Sequence, residues 1–274
     1  MNMLNAWTNN TLIGLKLTFR DRQAIFWTYG FPLFFLFLFA GIFARGRAEA
    51  LLAMLPGLLC ISAMSSGLWG IGVTLPALRE RGVLRRYHLA PISPWMIITS
   101  GIASNLVVSL STLLMQIALA KIVYKIEIAG GVIATFVMLV AGALAFFSIG
   151  FVVAGVADNV KSATVLCNLL FFPLMFLGGA AFPMEFLPPK LQALARVLPS
   201  NYMVDGLYRV MKEGEGLAAN LKNLSVLLLC CAVALFVAAK LFRWEADEKL
   251  PLKRKAWAAA VVVIFVGAAL FVKR

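Results

Sequence analysis

Twenty-one consecutive residues, Ala24 to Ala44, carry no formal charge. At the rise of an α-helix they reach about 30 Å, the thickness of a bilayer's hydrocarbon core. Uncharged runs recur at Ala50 to Leu78, Trp95 to Ala120, Val132 to Ala157, Ser162 to Ala181 and Leu224 to Ala239. They do not alternate apolar with polar residues and are longer than a tilted barrel strand needs, so they read as helices. The chain is 62% hydrophobic and 14% charged over 274 residues, more apolar surface than a soluble domain of that size can hide. The fold class is therefore an all-α polytopic membrane protein.

A net charge of +13 invites a nucleic-acid reading. Lys and Arg, however, sit at the ends of the apolar runs, where they snorkel and meet anionic lipid headgroups. The partner implied is the lipid bilayer, and no nucleic acid is expected. Cys60, Cys167, Cys230 and Cys231 all fall inside apolar runs without zinc spacing, and read as small core hydrophobes. Met1 to Gln23 reads as an interfacial helix with Leu4, Trp7, Ile13, Leu17 and Phe19 on an imperfect apolar side. Its weak periodicity leaves open an extension of the first span. Lys16, Arg20 and Arg22 mark its end as cytoplasmic. The first positive charge is Lys16 and the apolar run after it exceeds a signal h-region, so the first span is expected to remain as an anchor.

Leu78 to Pro94 is a charged island between two apolar runs. It holds Arg79, Glu80, Arg81, Arg85 and Arg86. Four arginines place it on the cytoplasmic side. Leu78 to Leu89 suits a short helix, stopped by Pro91 and Pro94. The island either meets a soluble partner or is a solvated turn that fixes topology. Asp158, Asn159 and Lys161 make a second, tighter cytoplasmic turn.

Within the spans, Ser62, Ser66, Gly70 and Thr74 recur at i, i+4, a rhythm of small residues that lets helices approach closely. Asn105, Ser109, Thr112 and Gln116 share one helix face. That stripe either lines a polar path or hydrogen-bonds to a neighbouring helix, for about 1 kcal/mol or less per bond. Asn168, near the middle of the fifth run with Pro173, is a further candidate for the substrate path.

From Phe182 to Gly216, Pro183, Pro188, Pro189 and Pro199 chop the chain into pieces too short to cross. Leu187, Leu191, Leu194 and Leu198 recur at helical spacing. Ser200 or Asn201 can cap a second short helix holding Tyr202, Val204, Leu207 and Val210. These read as amphipathic half-helices at the outer interface, with a flat surface loop as the alternative. Residues 243–274 form a basic cytoplasmic segment followed by an apolar run, Ala256 to Val272, long enough for a seventh span.

The order of island, two spans, tight turn, fifth span and broken outer half-helices resembles the ABC-2 permease family, the membrane subunits of type 2 ABC exporters. Two stretches carry the likeness. One is Arg79-Glu80-Arg81-Gly82-Val83-Leu84 with Ala90-Pro91-Ile92-Ser93. The other runs from Phe172-Pro173 through Gly178-Gly179 and Phe182-Pro183 to Leu198-Pro199-Ser200-Asn201-Tyr202 and Asp205-Gly206-Leu207-Tyr208-Arg209. The likeness covers about Met1 to Trp244. The run after Ala256 departs from the usual six spans.

The resemblance implies an N-terminal connecting helix over 1–23, a six-span domain over 24–242 and outer re-entrant helices over 182–211. It implies that Arg79 to Leu89, with Arg79, Glu80, Arg81, Gly82, Leu84, Arg85 and Arg86, is a coupling helix docking on a separate ATPase. Asp158 to Lys161 would be a smaller second contact. Pro183, Pro199, Tyr202, Asp205 and Arg209 would belong to the outer gate. The working unit would hold two ATPases and a second permease subunit, identical or homologous. ATP and Mg would be bound by the ATPase, with no cofactor in this chain.

The residues agree on three points. No Gly-x-x-x-x-Gly-Lys-Ser/Thr loop is present, so this chain does not bind ATP in the P-loop manner. No Asp, Glu, Lys or Arg lies in the middle of a long run, which disfavours ion-coupled transport. The single histidine, His88, lies in the island, away from any span that a membrane protease or a metal site would use. The alternative is a non-transporting membrane enzyme or assembly scaffold, but the acidic residues are scattered rather than paired. The uncharged stripe with its Phe, Leu, Met and Ala surroundings suits an amphipathic or lipid-like cargo.

Overall fold

The computed structural model of the chain describes residues 3–20, 22–45, 47–88, 93–182 and 187–245. The expected seventh span over Ala256 to Val272, residues Leu89 and Pro91 of the island, and Pro183 lie outside them. Every regular element among the described residues is helical.

Helix α1 (Met3–Arg20) docks on the first turns of a later span, α7 (Pro94–Tyr124). Trp7 Nε1 donates to Thr99 Oγ1 at 3.1 Å and Asn10 Nδ2 donates to Ser100 Oγ at 2.6 Å. Gly14 faces Ser104, whose Oγ would lie 2.9 Å from an added Cβ. The docking side is therefore polar and small. Leu12, Ile13, Leu17 and Phe19 point away and are exposed. That arrangement fits lipid surroundings, where the apolar side needs no protein cover and polar groups seek each other.

The next stretch is α2 (Arg22–Ile25), a π-helical turn (Phe26–Gly30) and α3 (Phe31–Ile42). Pro32 stands in the first turn of α3, immediately after the π turn. A proline cannot donate to the turn before it, and here the irregularity is taken up as one wide turn rather than a kink inside a helix. The apolar stretch Thr28–Ile42 is shorter than the five helices long and apolar enough to cross a membrane: Ala48–Glu80, Trp95–Tyr124, Val132–Val156, Val160–Leu177 and Leu221–Leu241.

Ala48–Glu80 consists of α4 (Ala48–Gly67), a π-helical segment (Leu68–Val73) and α5 (Thr74–Glu80). The expected island helix from Leu78 to Leu89 is two pieces. Arg79 and Glu80 complete the last turn of the span. The chain then turns at Arg81–Gly82, with Gly82 at φ +70°, a conformation that glycine adopts without a Cβ penalty. A separate short helix follows, α6 (Val83–His88).

Helix α8 (Val132–Val156) is the centre of the bundle, with α4, α7, α11 (Pro199–Met211) and α12 (Leu221–Leu241) around it. Small residues set how close they come. A Cβ on Gly150 would strike the backbone carbonyl of Gly67, and one on Gly142 would strike the sulfur of Met203. Helix α9 (Val160–Leu177) sits at the edge, with only 22% of its apolar window buried against 72% for α8.

The proline-broken segment gives α10 (Pro189–Ala195) and α11. Helix α11 is not spread on the surface. Met203, Leu207, Val210 and Met211 are fully buried, and Met203 meets α8 three turns inside it, at Gly142. At thirteen residues it is too short to cross.

Candidate functional site

A turn of three residues, Ala157 to Asn159, joins α8 to α9. It leaves two opposite problems of hydrogen bonding, because α8 ends in carbonyls without intrahelical donors and α9 begins with N–H groups without acceptors. The N-terminal side is met partly from within. Asn159 Oδ1 accepts from Ser162 N at 2.7 Å, and Ser162 Oγ accepts from Asn159 N at 3.1 Å, a reciprocal capping box. A third acceptor comes from another span: Glu80 Oε1 accepts from Val160 N at 2.7 Å.

The carbonyl side is met by two arginines from far apart in sequence. Arg79 Nη1 donates to Ala154 O at 3.2 Å and its Nη2 to Ala157 O at 2.5 Å. Arg243 Nη2 donates to Gly155 O at 3.1 Å and to the same Ala157 O at 2.6 Å. Arg243 Nη1 also pairs with Asp158 Oδ1 at 3.1 Å. Both guanidiniums are almost wholly buried, at 3% and 2% exposure. Two like charges on one carbonyl are tolerated because Asp158 pairs with Arg243 and the helix end itself carries partial negative charge. Removing one such partner costs about 3 kcal/mol, since it strands a buried charge or acceptor.

Adjacent to this turn, α6 is seated by Leu84, which is 1% exposed. Glu80, Arg81, Arg85 and Arg86 are exposed, as are Asp158 and Lys161. Arg85 Nε lies 3.5 Å from Glu245 Oε1, an exposed ion pair worth well under 1 kcal/mol. The island residues and the Asp158–Lys161 turn, separate in sequence, therefore form one surface. Arg243 was read from the sequence only as part of a basic tail. The signal that marks it is an arginine directly following the last long apolar run, within reach of another span's carbonyl end.

The polar stripe of α7 faces the span Ala48–Glu80. Gln116 Nε2 donates to Ser62 Oγ at 2.7 Å, and Asn105 Oδ1 would lie 3.0 Å from a Cβ on Gly70. Asn105 Nδ2 and Thr112 Oγ1 turn back to their own helix, onto Gly101 O and Val108 O. Ser109, Thr112 and Gln116 are buried at 1%, 2% and 0% exposure. Ser109 Oγ and Gln116 Oε1 have no hydrogen-bond partner among the described residues. Ser66 is half-buried and Thr74 exposed, its Oγ1 donating to Trp69 O at 3.4 Å. Asn168 is on the opposite side of the bundle, on the exposed face of α9 with Val165, Leu169, Phe172 and Phe176.

At the other end, Pro199 and Ser200 are buried and begin α11. Ser200 Oγ donates to Leu174 O at 2.8 Å and Tyr202 OH to Arg196 O at 2.8 Å, which fixes α11 to α9 and to the turn before it. Asp205 Oδ2 accepts from Arg209 Nε at 2.9 Å and from Asn223 Nδ2 at 2.8 Å. Arg209 Nη1 also lies 3.6 Å from Glu215. The Asp205 carboxylate beside it pushes the Arg209 pKa further up, so this cation is permanent. Among the described residues no cluster of His, Cys, Asp and Glu could hold a metal ion.

The profile of the ABC-2 type transporter family matches residues 8–211, well over half the chain, and the chain belongs to that family. It is a multi-pass membrane protein. It is 33% identical over 100 residues to Nodulation protein J of Rhizobium leguminosarum bv. viciae, covering 36% of this chain and 38% of that one. It is 26% identical over 139 residues to the inner membrane transport permease YhhJ of Escherichia coli K12, covering 50% and 37%. With YbhR of the same organism, named a probable multidrug ABC transporter permease, it shares 22% over 165 residues, covering 60% and 45%. The chain thus spans less than half the length of these relatives.

Proposed function

We propose that this chain is the membrane-spanning subunit of an ATP-driven exporter. In this reading it sits in the cell membrane with its N-terminus in the cytoplasm. A separate ATPase, in two copies, binds ATP and Mg and drives it, and a second permease subunit completes the transport path. The exposed apolar face of α9, with Asn168, is the surface this reading assigns to that second subunit. The cargo is amphipathic or lipid-like, moved outward past α10 and α11.

One observation supports this reading most: the placement of α6. It carries exposed Arg85 and Arg86 on a helix seated by buried Leu84. Through Arg79 and Glu80 it continues directly into contacts with the α8–α9 turn. A push on α6 would therefore reach three spans through short, charge-assisted bonds. A solvated topology turn needs no such anchoring.

The test is co-purification. The tagged chain is extracted from its own host in mild detergent, and the proteins that accompany it are identified. A P-loop ATPase that is lost when exposed Arg81, Arg85 and Arg86 are replaced together by Ala is the expected result. A clean chain without an ATPase, under conditions that hold a known exporter together, overturns the reading.

A further inference from the structure

We infer that Arg243, with Glu245 two residues on, makes the segment after α12 a strap that ties α12 to the α8–α9 turn and to α6. Arg243 is thereby a positioning residue for the motion of the bundle. This rests on the exporter reading for its purpose, but the strap itself is a property of this chain.

The local backbone explains the geometry. Helix α12 ends at Leu241, and Phe242 is extended at φ −62°, ψ 135°. The chain then bends at Trp244, between Arg243 and Glu245, which lets the two side chains reach different elements. Arg243 turns inward to Gly155, Ala157 and Asp158, and Glu245 reaches Arg85 on α6. Gly155 makes room, since a Cβ there would lie 2.7 Å from Leu241 Cβ. The strap is thus pressed against the end of α8 at one point and against α6 at another.

Arg79 completes the device. It approaches the same Ala157 carbonyl from the span Ala48–Glu80. One carbonyl oxygen is therefore shared by donors from two different spans. If α5 moved without α12, one of two buried guanidiniums would lose one of its acceptors, which is costly in a low-dielectric site. The spans Ala48–Glu80, Val132–Val156 and Leu221–Leu241 are locked at this end and displace together. A helix that needed only its end capped would be served by one arginine.

The measurement needs neither the ATPase nor the cargo. Spin labels are placed at exposed Arg86→Cys on α6 and Lys161→Cys on α9, with the full chain in lipid nanodiscs. The parent gives one narrow distance distribution. Arg243→Ala makes it about twofold broader, because α12 no longer holds the turn. Arg243→Lys separates position from charge. It keeps a cation at the helix end, so the melting temperature falls less than with Ala, but one ammonium cannot fork across Gly155, Ala157 and Asp158. The distribution with Lys is expected to be as broad as with Ala. A narrow, parent-like distribution in the Lys variant overturns the inference even if the Ala variant fails to fold. Arg243 would then be a cap for α8 and no more. The measurement is made on the chain alone, so its outcome does not depend on the exporter reading.

Discussion

Glu80 accepts a hydrogen bond from Val160 N at 2.7 Å. Its neighbour Arg79 donates to the carbonyls of Ala154 and Ala157. Two adjacent residues thus serve the opposite ends of one turn, the anion at the N-terminus of α9 and the cation at the C-terminus of α8, as the helix dipoles favour. Glu80→Ala removes an N-terminal acceptor and should lower stability by about 1 kcal/mol. Glu80→Gln keeps an acceptor oxygen at the same place and should cost less than half of that. Arg81→Ala, one residue further and exposed, should leave stability unchanged. Thermal unfolding in detergent separates the three. If Arg81→Ala destabilised as much as Glu80→Ala, the capping account of Glu80 would be wrong.

Gln116 makes a second case in which magnitudes decide. Its amide nitrogen holds Ser62 Oγ across helices, a bond worth about 0.6 kcal/mol in a membrane protein. Its Oε1 is buried without a donor, at a cost of about 1–3 kcal/mol. Ser62 would keep its bond to Leu58 O after the change. Gln116→Leu should therefore raise stability by about 1 kcal/mol. A fall in melting temperature would mean that Oε1 has a partner in the membrane, and would favour a wet polar stripe over a packing seam.

The close approach of Gly67 and Gly150 makes the third prediction. A Cβ on Gly150 meets backbone rather than a movable side chain. Gly150→Ala must push apart the two most buried spans, and should cost about 2 kcal/mol or more, read as lost folded yield. Gly216→Ala, outside the helices and with nothing within 4 Å of its Cβ, is the control and should be neutral. Equal behaviour of the two variants would show that the helices do not touch there.

Five of the expected spans were legible because a long apolar run is a local property of sequence, whereas the first run, Ala24 to Ala44, gives only the shorter apolar stretch Thr28–Ile42. The island and the Asp158 turn were legible as charge breaks. What each charge touches was not. Arg79 looks like Arg85 in sequence, yet one is 3% exposed and the side chain of the other 74%. The difference is set by where the carbonyls of α8 end. Arg243 was hidden for the same reason, and so was the inward turn of Leu84. The docking side of α1 was not legible, because an interfacial helix turns its apolar side to lipid and the few polar residues that hold it to α7 make no periodic signal. In lipid, Trp7, Asn10 and Gly14 carry the contact and Leu17 faces out. The short helix α11 was foreseen from its apolar spacing but not its start: Ser200 and Asn201 were read as caps, whereas Pro199 opens the helix and Ser200 Oγ is spent on Leu174 O. Its depth depends on Gly142 and Gly206, which no periodicity reveals.

Asp205 supplies the last prediction. It serves two donors, Arg209 and Asn223. The Arg209 pair is half exposed on both sides, so solvent screens it and Arg209→Ala should cost about 0.5 kcal/mol or less. Asn223 is only 6% exposed, and its amide also donates to Asn220 Oδ1 at 3.3 Å. Asp205→Ala therefore strains a buried amide as well as losing the ion pair, and should cost about 1.5–2 kcal/mol. Asp205→Asn keeps an acceptor for Asn223 and should fall between. In a double-mutant cycle the Asp205–Asn223 coupling should exceed the Asp205–Arg209 coupling. The reverse order would show that Asp205 acts mainly within α11, through its i, i+4 pair with Arg209, and that its bond to Asn223 does not hold α11 to α12.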